Sequence, residues 1–242
     1  MMRKILGAAA SAAVLCTGAQ AFAATLVIDD FSVDQRVQDT PAFEPNASEV
    51  GGGMLGGFRD LSVTNTAADG SNLAATELNV TGGNLKFSNV AGARGEGTLT
   101  YDGGDGDPNN VDTDGLGGVN LLIGTDPYFF FASSPSVPFD NVALFRATVW
   151  DVDGNTATYE ELLDADYDPQ LSFSEFAGVD FSRIGALQFF ISSTGTNDSV
   201  DGAVTQIEVR AGDIAPIPLP ASGLLLLGGM GGLSFLRRRK KA

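Results

Sequence analysis

The stretch VALFRATVW, at positions 142–150, alternates apolar and polar side chains with a period of two. That period places one set of small and apolar residues on a single face of a strand: Ala143, Phe145, Ala147 and Val149. Arg146 and Thr148 then lie on the opposite face. Such a strand is buried on one side, so a second sheet must cover its apolar face. We therefore predict an all-β protein with a two-layer antiparallel β-sandwich.

Further short strands are predicted along the chain, because Gly, Asn and Asp recur about every 8 to 12 residues, as they do between antiparallel strands. In ALQFFIS (186–192), Leu187, Phe189 and Ile191 share a face opposite Gln188. One short helical turn is predicted around TYEELLDA (158–165). The other predicted strands are ATLVIDDF (24–31), LSVTN (61–65), ELNVTG (77–82), NLKFSNV (84–90), GTLTY (97–101), GVNLLI (118–123), YFFFA (128–132) and AVTQIEVR (203–210).

The chain has a formal net charge of −16, and its charge is unevenly distributed. Seven of the 14 basic residues lie in the segments 3–4 and 237–241, whereas all 30 acidic residues lie between positions 29 and 213. The central part therefore carries a net charge of −23, which repels nucleic acid and anionic lipid headgroups. We expect no nucleic-acid partner, and we expect this part of the protein to attract cations.

The N-terminus has the features of a secretory signal peptide. Arg3 and Lys4 precede an apolar run over 5–15, and Ala21-Phe22-Ala23 supplies a cleavage site of the A-x-A kind. Ala19-Gln20-Ala21 is an alternative cleavage site, and a buried N-terminal helix is the alternative interpretation of the whole segment.

Cys16 is the only cysteine, and it lies inside this leader. Lipidation is not expected, because Leu15 stands where a lipid-acceptor motif has a small residue. Removal of the leader leaves a mature protein without a thiol or a disulfide. A body of about 190 residues buries enough apolar surface to fold without one.

The C-terminus combines a proline motif, a short apolar run and a basic cluster. Residues 221–236 carry no charge and would extend about 24 Å as a helix, which is shorter than the roughly 30 Å hydrocarbon core of a bilayer. The five bases at 237–241 favour a cytoplasmic end, whereas the signal peptide directs the acidic body outward. A weak, glycine-rich span of this kind favours transient anchoring, and a plain C-terminal anchor is the alternative.

This tail resembles the VPLPA variant of the PEP-CTERM sorting signal of Gram-negative bacteria. The matching features are Ile217 in place of the family's Val, the motif Pro218, Leu219, Pro220 and Ala221, the run SGLLLLGGMGGLSFL, and the bases that begin with Arg237, Arg238 and Arg239. The resemblance implies recognition by an exosortase-type membrane protease and transient anchoring in the inner membrane. It also implies transfer of the trimmed body to the cell surface or extracellular matrix.

The order of segments in the body resembles the galactose-binding-like jelly rolls of many carbohydrate-binding modules. The segments are IDDF (28–31), WDVDGN (150–155), VDFSRIGALQFFIS (179–192) and DSVDGAVTQIEV (198–209). The resemblance implies that the first and last strands are neighbours and share a structural calcium, with Asp29, Asp30 and Asp201 at comparable positions. It also implies binding of an extracellular polysaccharide.

The densest acidic stretch is YDGGDGDPNNVDTDGLGG, at 101–118. Its carboxylates alternate with Gly, Pro and Asn, so a loop can turn several oxygens inward towards Ca²⁺, which takes about six to eight of them. Residues 110–115 match the first half of an EF-hand loop, but Leu121 occupies the twelfth position, where Glu is required. A calcium loop of another kind and a solvated acidic loop are the two alternatives. The candidate metal ligands are Asp102, Asp105, Asp107, Asp112 and Asp114.

Residues 151–155, Asp-Val-Asp-Gly-Asn, directly follow a predicted strand. An Asp-Gly pair between two strands predicts a hairpin turn. A metal site is the alternative interpretation of these carboxylates.

Catalysis is restricted by the residue types that the chain lacks. There is no His, and the one Cys lies in the leader, so nucleophile systems and zinc sites that require these residues are excluded. Carboxylate pairs are the remaining route to hydrolysis, but no motif selects a pair among 30 acidic residues. The aromatic residues of 128–131 and Trp150 can stack on sugars or belong to the core, and the core is favoured.

The sequence thus predicts three segments: a signal peptide over 1–23, a β-sandwich body over 24–213 and a sorting signal over 214–242. The predicted protein is a non-catalytic adhesion, scaffold or glycan-binding protein that is exported to the cell surface or matrix. A secreted glycan-processing enzyme that uses paired carboxylates is the alternative.

Overall fold

The computed structural model describes residues 25–39, 46–66, 75–163, 168–193 and 199–211. Within these ranges the regular structure is β-strand, apart from two short 3-10 turns at Leu55–Gly57 and Phe173–Glu175. The strands form two antiparallel sheets, which confirms the predicted all-β sandwich. The helices predicted for the signal peptide and the tail lie outside the described residues.

One sheet has seven strands in the described part of the chain. Its order is β11-β8-β13-β6-β5-β2, and β1 pairs with β13 outside this path. The strands are β1 (Thr25–Asp29), β2 (Gln35–Asp39), β5 (Thr76–Thr81), β6 (Asn84–Asn89), β8 (Tyr128–Ser133), β11 (Gln170–Ser172) and β13 (Asp201–Arg210).

The other sheet has six strands within the same ranges, in the order β10-β9-β12-β7-β4-β3. The strands are β3 (Ala47–Gly51), β4 (Phe58–Asn65), β7 (Gly95–Tyr101), β9 (Ala143–Asp151), β10 (Thr156–Leu163) and β12 (Ile184–Ser192). The long central strands β9 and β12 are the two whose alternation was clearest in the sequence.

The core lies between the sheets and is rich in phenylalanine. The ring of Phe131 on β8 lies 4.9 Å from the rings of both Phe145 on β9 and Phe189 on β12, measured between centroids. Phe129 lies 5.7 Å from Phe189 in an edge-to-face arrangement. The face predicted to be buried in β9 is buried throughout, and the assignment of Phe129 and Phe131 to the core is confirmed.

A buried ion pair connects the two sheets. The guanidinium of Arg59 on β4 donates to the carboxylate of Asp29 on β1 over 2.9 Å, and the Tyr101 hydroxyl donates to the same oxygen over 2.8 Å. The Nε of Arg59 also donates to the Gln35 side chain over 2.7 Å. Because Arg59 is fully buried, each of these acceptors compensates the cost of removing its charge from water.

The first and last described strands, β1 and β13, are neighbours, as the jelly-roll resemblance implied. The prediction that Asp29 and Asp201 share a calcium ion is wrong. Asp29 lies opposite Ile207, whereas Asp201 lies opposite Ser88 at the other end of β13, about 20 Å away at the rise of a strand. The Asp29 carboxylate is instead paired with Arg59.

Two predictions of local structure are also wrong. TYEELLDA was expected to form a helical turn, but residues 158–163 belong to β10, which pairs with β9 along its whole length. The ladder and an ion pair between Arg146 and Glu160 outweigh the helix propensity of Glu and Leu. GVNLLI is a loop with a single bridge from Val119 to Ile184, because Leu121 donates its N–H to the Phe181 carbonyl instead of to a strand.

Strands β2, β3 and β11 were not predicted. The first two read QRVQD and ASEVG, which are short and mostly polar segments, and β11 has only three residues. Each lies at or near an edge of its sheet, where little apolar surface is buried and the alternation of side chains is correspondingly weak.

Candidate functional site

The outward side of the six-stranded sheet carries a continuous row of polar side chains. Residues that lie directly opposite one another in an antiparallel sheet project from the same face. The register of the six strands therefore aligns one row across the whole sheet: Thr158, Thr148, Gln188, Thr100, Asp60 and Glu49. We call this side of the sheet the outer face.

Hydrogen bonds hold the middle of this row in place. The hydroxyls of Thr148 and Thr158 lie 3.2 Å apart, and the Gln188 amide donates to the Thr100 hydroxyl over 3.2 Å. Gln188 remains partly exposed, so its amide is both positioned by a neighbour and accessible to a ligand. The row thus presents fixed polar groups on a rigid sheet.

Two aromatic side chains lie on the outer face beside the polar row. Trp150 is paired with Thr156 in the neighbouring strand, and Phe190 is paired with Arg146. The Arg146 guanidinium lies 4.8 Å from the centre of the Phe190 ring and also pairs with Glu160. Both aromatic residues are partly exposed, which distinguishes them from the buried phenylalanines of the core. The core location favoured for Trp150 is therefore wrong, because the residue lies on the face of β9 opposite the buried Val149.

An acidic cluster lies where the polar row meets β3. We define it as Glu49, Asp60, Asp102 and Asp105. Glu49 and Asp60 are cross-strand neighbours, and one carboxylate oxygen from each of Glu49, Asp60 and Asp105 lies within 4.8 Å of the others. Asp102 directly follows β7 and is fully buried, and Asp60 is only 2% exposed.

Three carboxylate oxygens of the buried members of the cluster have no hydrogen-bond partner. Neither oxygen of Asp60 has a partner, and the same holds for Oδ1 of Asp102. Burial raises the pKa of Asp60 to about 8, and the nearby carboxylates of Asp102, Glu49 and Asp105 raise it further. Burial likewise raises the pKa of Asp102, against a backbone N–H donated by Asp112.

The loop after β7 brings two of the five predicted metal ligands, Asp102 and Asp105, to this cluster. The other three have local roles or project to solvent. Asp107 accepts hydrogen bonds from Asn109 and Asn110, and Asp112 accepts one from the Asp114 backbone. Asp114 is exposed.

Sequence reasoning missed Glu49 and Asp60. Asp60 lies in the segment RDL, and its alternation with the buried residues Arg59 and Leu61 was the available signal that it faces outward. Glu49 lies in an unpredicted edge strand, so its pairing with Asp60 was not accessible from the pattern.

Residues 151–155 form the predicted hairpin turn between β9 and β10. The Asp151 carboxylate accepts backbone N–H groups from Asp153, Asn155 and Asp180, over 2.9–3.0 Å, and also the Asn155 amide. These donors hold the pKa of Asp151 down at about 2, although its burial acts in the opposite direction. The carboxylate thus organises a turn, and the hairpin interpretation is confirmed.

A cavity of about 60 Å³ lies between the sheets, with side chains that include Phe87, Phe139 and Leu163 along its walls. Its lining is almost entirely apolar. A sugar hydroxyl buried there would lack hydrogen-bond partners, so the cavity is a poor glycan site compared with the outer face.

The predicted signal-cleavage residues and the whole predicted sorting motif lie outside the described residues. Within the described part of the chain, no helix is long and apolar enough to cross a membrane.

No protein-family model and no curated protein matches the chain. Among solved structures, it is similar to the family 11 carbohydrate-binding module from Clostridium thermocellum in complex with a β-1,3-1,4-mixed-linked tetrasaccharide, with 14% identity and a TM-score of 0.34 over 79% of this chain and 97% of that one. It is also similar to TmCBM61 in complex with β-1,4-galactotriose, with 12% identity and a TM-score of 0.33 over 75% of this chain and 90% of that one. The agarase AgWH50C gives 7% identity and a TM-score of 0.40 over 79% of this chain and 25% of that one. Similarity at this level does not identify a ligand.

Proposed function

We propose that the protein is an exported, non-catalytic glycan-binding protein of the cell surface or extracellular matrix, and that its outer face binds a polysaccharide chain. The observation that carries this proposal is the row of fixed polar groups bordered by partly exposed Trp150 and Phe190. An amide and hydroxyls can exchange hydrogen bonds with sugar hydroxyls, while an aromatic ring can cover the apolar face of a sugar ring. Thr100 and Asp60 are buried, so the part of the row that a sugar can reach at its centre is Gln188, Thr148 and Thr158, on three neighbouring strands.

The location of the protein follows from its two ends. A signal peptide exports the acidic body, and a PEP-CTERM-like tail holds it transiently in the inner membrane for an exosortase-type protease. Display of the outer face on the surface then allows adhesion to, or scaffolding of, extracellular polysaccharide. The strongly acidic body is compatible with a neutral glycan and disfavours a polyanionic one.

The rival function is hydrolysis of a glycan by paired carboxylates. Glycosidases place a sugar bond between two carboxyl groups that are about 5 to 9.5 Å apart. In this structure Asp60 and Asp102 are adjacent but both are buried, so a sugar ring cannot lie between them. This pair therefore does not provide the catalytic arrangement of a glycosidase.

Binding of the purified full-length chain to a panel of soluble polysaccharides, measured by calorimetry, tests the proposal. Replacement of Trp150 by Ala should weaken binding about fivefold or more, because the loss of a stacked aromatic removes roughly 1 kcal/mol or more of binding energy. Tyr128→Ala is the matched control, since Tyr128 is a partly exposed aromatic residue on the outward side of the other sheet.

The proposal predicts saturable binding without release of reducing ends, and unchanged affinity in Tyr128→Ala. Absence of saturable binding across the panel would overturn it, as would equal weakening by the two substitutions. Turnover that Asp60→Asn abolishes would establish the hydrolase instead.

A further inference from the structure

We propose that the acidic cluster of Glu49, Asp60, Asp102 and Asp105 binds a calcium ion. The inference does not depend on glycan binding. Glu49 and Asp60 end the polar row, but the residues used to test glycan binding, Trp150 and Tyr128, lie outside the cluster.

The first argument is the state of the buried carboxylates. Asp60 is 2% exposed with no donor to either oxygen, and Asp102 is fully buried with no donor to Oδ1. Buried polar atoms are almost always hydrogen-bonded, and buried charges are paired or coordinate a metal. The guanidinium nearest in sequence, that of Arg59, is already paired with Asp29. The orphaned oxygens therefore require a partner, and a cation is the partner that satisfies several of them at once.

The second argument is the spacing of the oxygens. Calcium binds oxygen at about 2.3–2.6 Å, so two oxygens on opposite sides of one ion are about 5 Å apart. One oxygen each from Glu49, Asp60 and Asp105 already lies within 4.8 Å of the others. Magnesium prefers a smaller octahedral shell with one or two carboxylates and several waters. Three converging carboxylates, with the buried Asp102 as a further neighbour of Asp60, therefore favour calcium.

The third argument is that the fold holds these groups in place before any ion arrives. The backbone N–H groups of Asp105 and Gly106 donate to Oε2 of Glu49 over 3.1 and 3.0 Å, which fixes the loop against β3. The N–H of Asp112 donates to Oδ2 of Asp102 over 2.8 Å, which fixes that carboxylate and leaves its Oδ1 without a partner.

Glycine makes this loop geometry possible. A Cβ on Gly115 would lie 1.5 Å from the Asp102 carbonyl oxygen, and Gly103 has a φ of +88°. The two ends of the acidic loop therefore touch at Gly115, where a residue with a side chain would not fit. The close contact at Gly115 explains why the loop is tight, but it does not explain why carboxylates lie at its base.

A proton shared between Asp60 and Asp102 is the competing explanation of the orphaned oxygens. A shared proton would lie between these two carboxyl groups only. A cation would also engage Glu49 and Asp105, each of which has an oxygen within 4.8 Å of an Asp60 oxygen.

Calorimetric titration of the chelator-treated full-length chain with CaCl₂ tests the site. We expect saturable binding to the native chain. Asp60→Asn should weaken it by more than the roughly 10- to 100-fold that loss of an outer-shell partner costs. Asp114→Asn is the matched control, because it removes one carboxylate charge at an exposed position of the loop after β7, outside the cluster.

Thermal unfolding in chelator and in calcium provides a second measurement. A ligand that binds only the native state raises the melting temperature, so calcium should stabilise the native chain and Asp114→Asn but not Asp60→Asn. Asp60→Asn should melt at or above the temperature of the calcium-free native chain, which also verifies that it folds. No calcium-dependent heat or shift in the native chain would overturn the inference. The inference would also be overturned if magnesium bound and stabilised the chain as well as calcium does. The same holds if Asp60→Asn and Asp114→Asn lost calcium affinity equally.

Discussion

At the scale of single residues, two acidic side chains show how the environment decides the role of a carboxylate. Asp29 and Asp60 are equally buried, at 2% exposure each. Asp29 receives hydrogen bonds from Arg59 and Tyr101, whereas Asp60 receives none and has acidic neighbours. The first is a structural ion pair, and the second is a charge that the fold leaves available for a cation or a proton.

The pH dependence of stability should reveal Asp60 in the calcium-free protein. Its pKa is about 8 in the folded chain and near 3.8 in the unfolded chain, so the folded state holds the proton more tightly. The contribution of protonated Asp60 to the free energy of unfolding is complete below about pH 4 and is lost as the pH rises towards 8. The slope is at most about 1.4 kcal/mol per pH unit for this one group. Urea unfolding in chelator at several pH values measures the effect.

Asp60→Asn should flatten this decline, because an amide does not ionise. The groups that face Asp60 are Glu49 from β3 and Asp102 and Asp105 from the loop, and all of them remain in the variant. A decline of the same slope in Asp60→Asn would assign the pH dependence to other groups.

At the scale of elements, the β9–β10 hairpin depends on one carboxylate. Asp151 gathers N–H groups from its own turn and from Asp180, which precedes β12. The turn is thereby fixed to the neighbouring strand, and Gly154 supplies the positive φ of +85° that the turn requires.

Replacement of Asp151 by Ala should lower the free energy of unfolding by about 3 kcal/mol, because several charge-assisted hydrogen bonds are lost and buried N–H groups remain unpaired. The native protein should also lose stability as the pH falls from about 4 to about 2, because the pKa of Asp151 is about 2 in the folded chain and higher in the unfolded chain. Urea unfolding of both proteins checks these expectations.

Asp153→Ala is the control for this hairpin. Asp153 pairs with Arg183 in an exposed ion pair, which contributes about 0–1 kcal/mol. If Asp153→Ala were as damaging as Asp151→Ala, the role assigned to the buried carboxylate would be wrong.

At the scale of the whole molecule, the charge distribution and the proposed sorting signal divide the chain into parts. The acidic body faces outward in the proposed topology, and the basic ends at 3–4 and 237–241 stay on the cytoplasmic side. The outer face and the acidic cluster both belong to the body, so both should persist after the tail is removed.

Deletion of residues 216–242 should abolish surface localisation, because the tail is the proposed signal for the membrane protease. Fractionation of the native host, followed by intact-mass measurement, would check this. We expect the surface form of the native protein to begin at Ala24 and to end near 218–221. Unchanged localisation of the deletion variant would contradict the sorting proposal, and a surface form that retains SFLRRRKKA would indicate a permanent anchor.

Much of the sandwich could be predicted from local patterns, because burial of one face leaves a period of two in the sequence. The strands β9 and β12 were predicted on this basis, with Phe145 and Phe189 correctly placed in the core. Strand β10 was not, because its Glu and Leu residues are good helix formers and an exposed edge gives weak alternation. Edge strands take their conformation from a partner that the local sequence does not contain.

The sequence by itself determined the all-β class, the central strands, the hairpin at Asp151 and the concentration of acidic residues between 29 and 213. Only the tertiary structure decided which carboxylates meet. Strand register places Glu49 beside Asp60. Asp105 comes close to both because the two ends of its loop touch at Gly115. Periodicity records whether a side chain faces the core or solvent. Register and loop closure, which depend on contacts distant in sequence, decide its neighbours and therefore its chemistry.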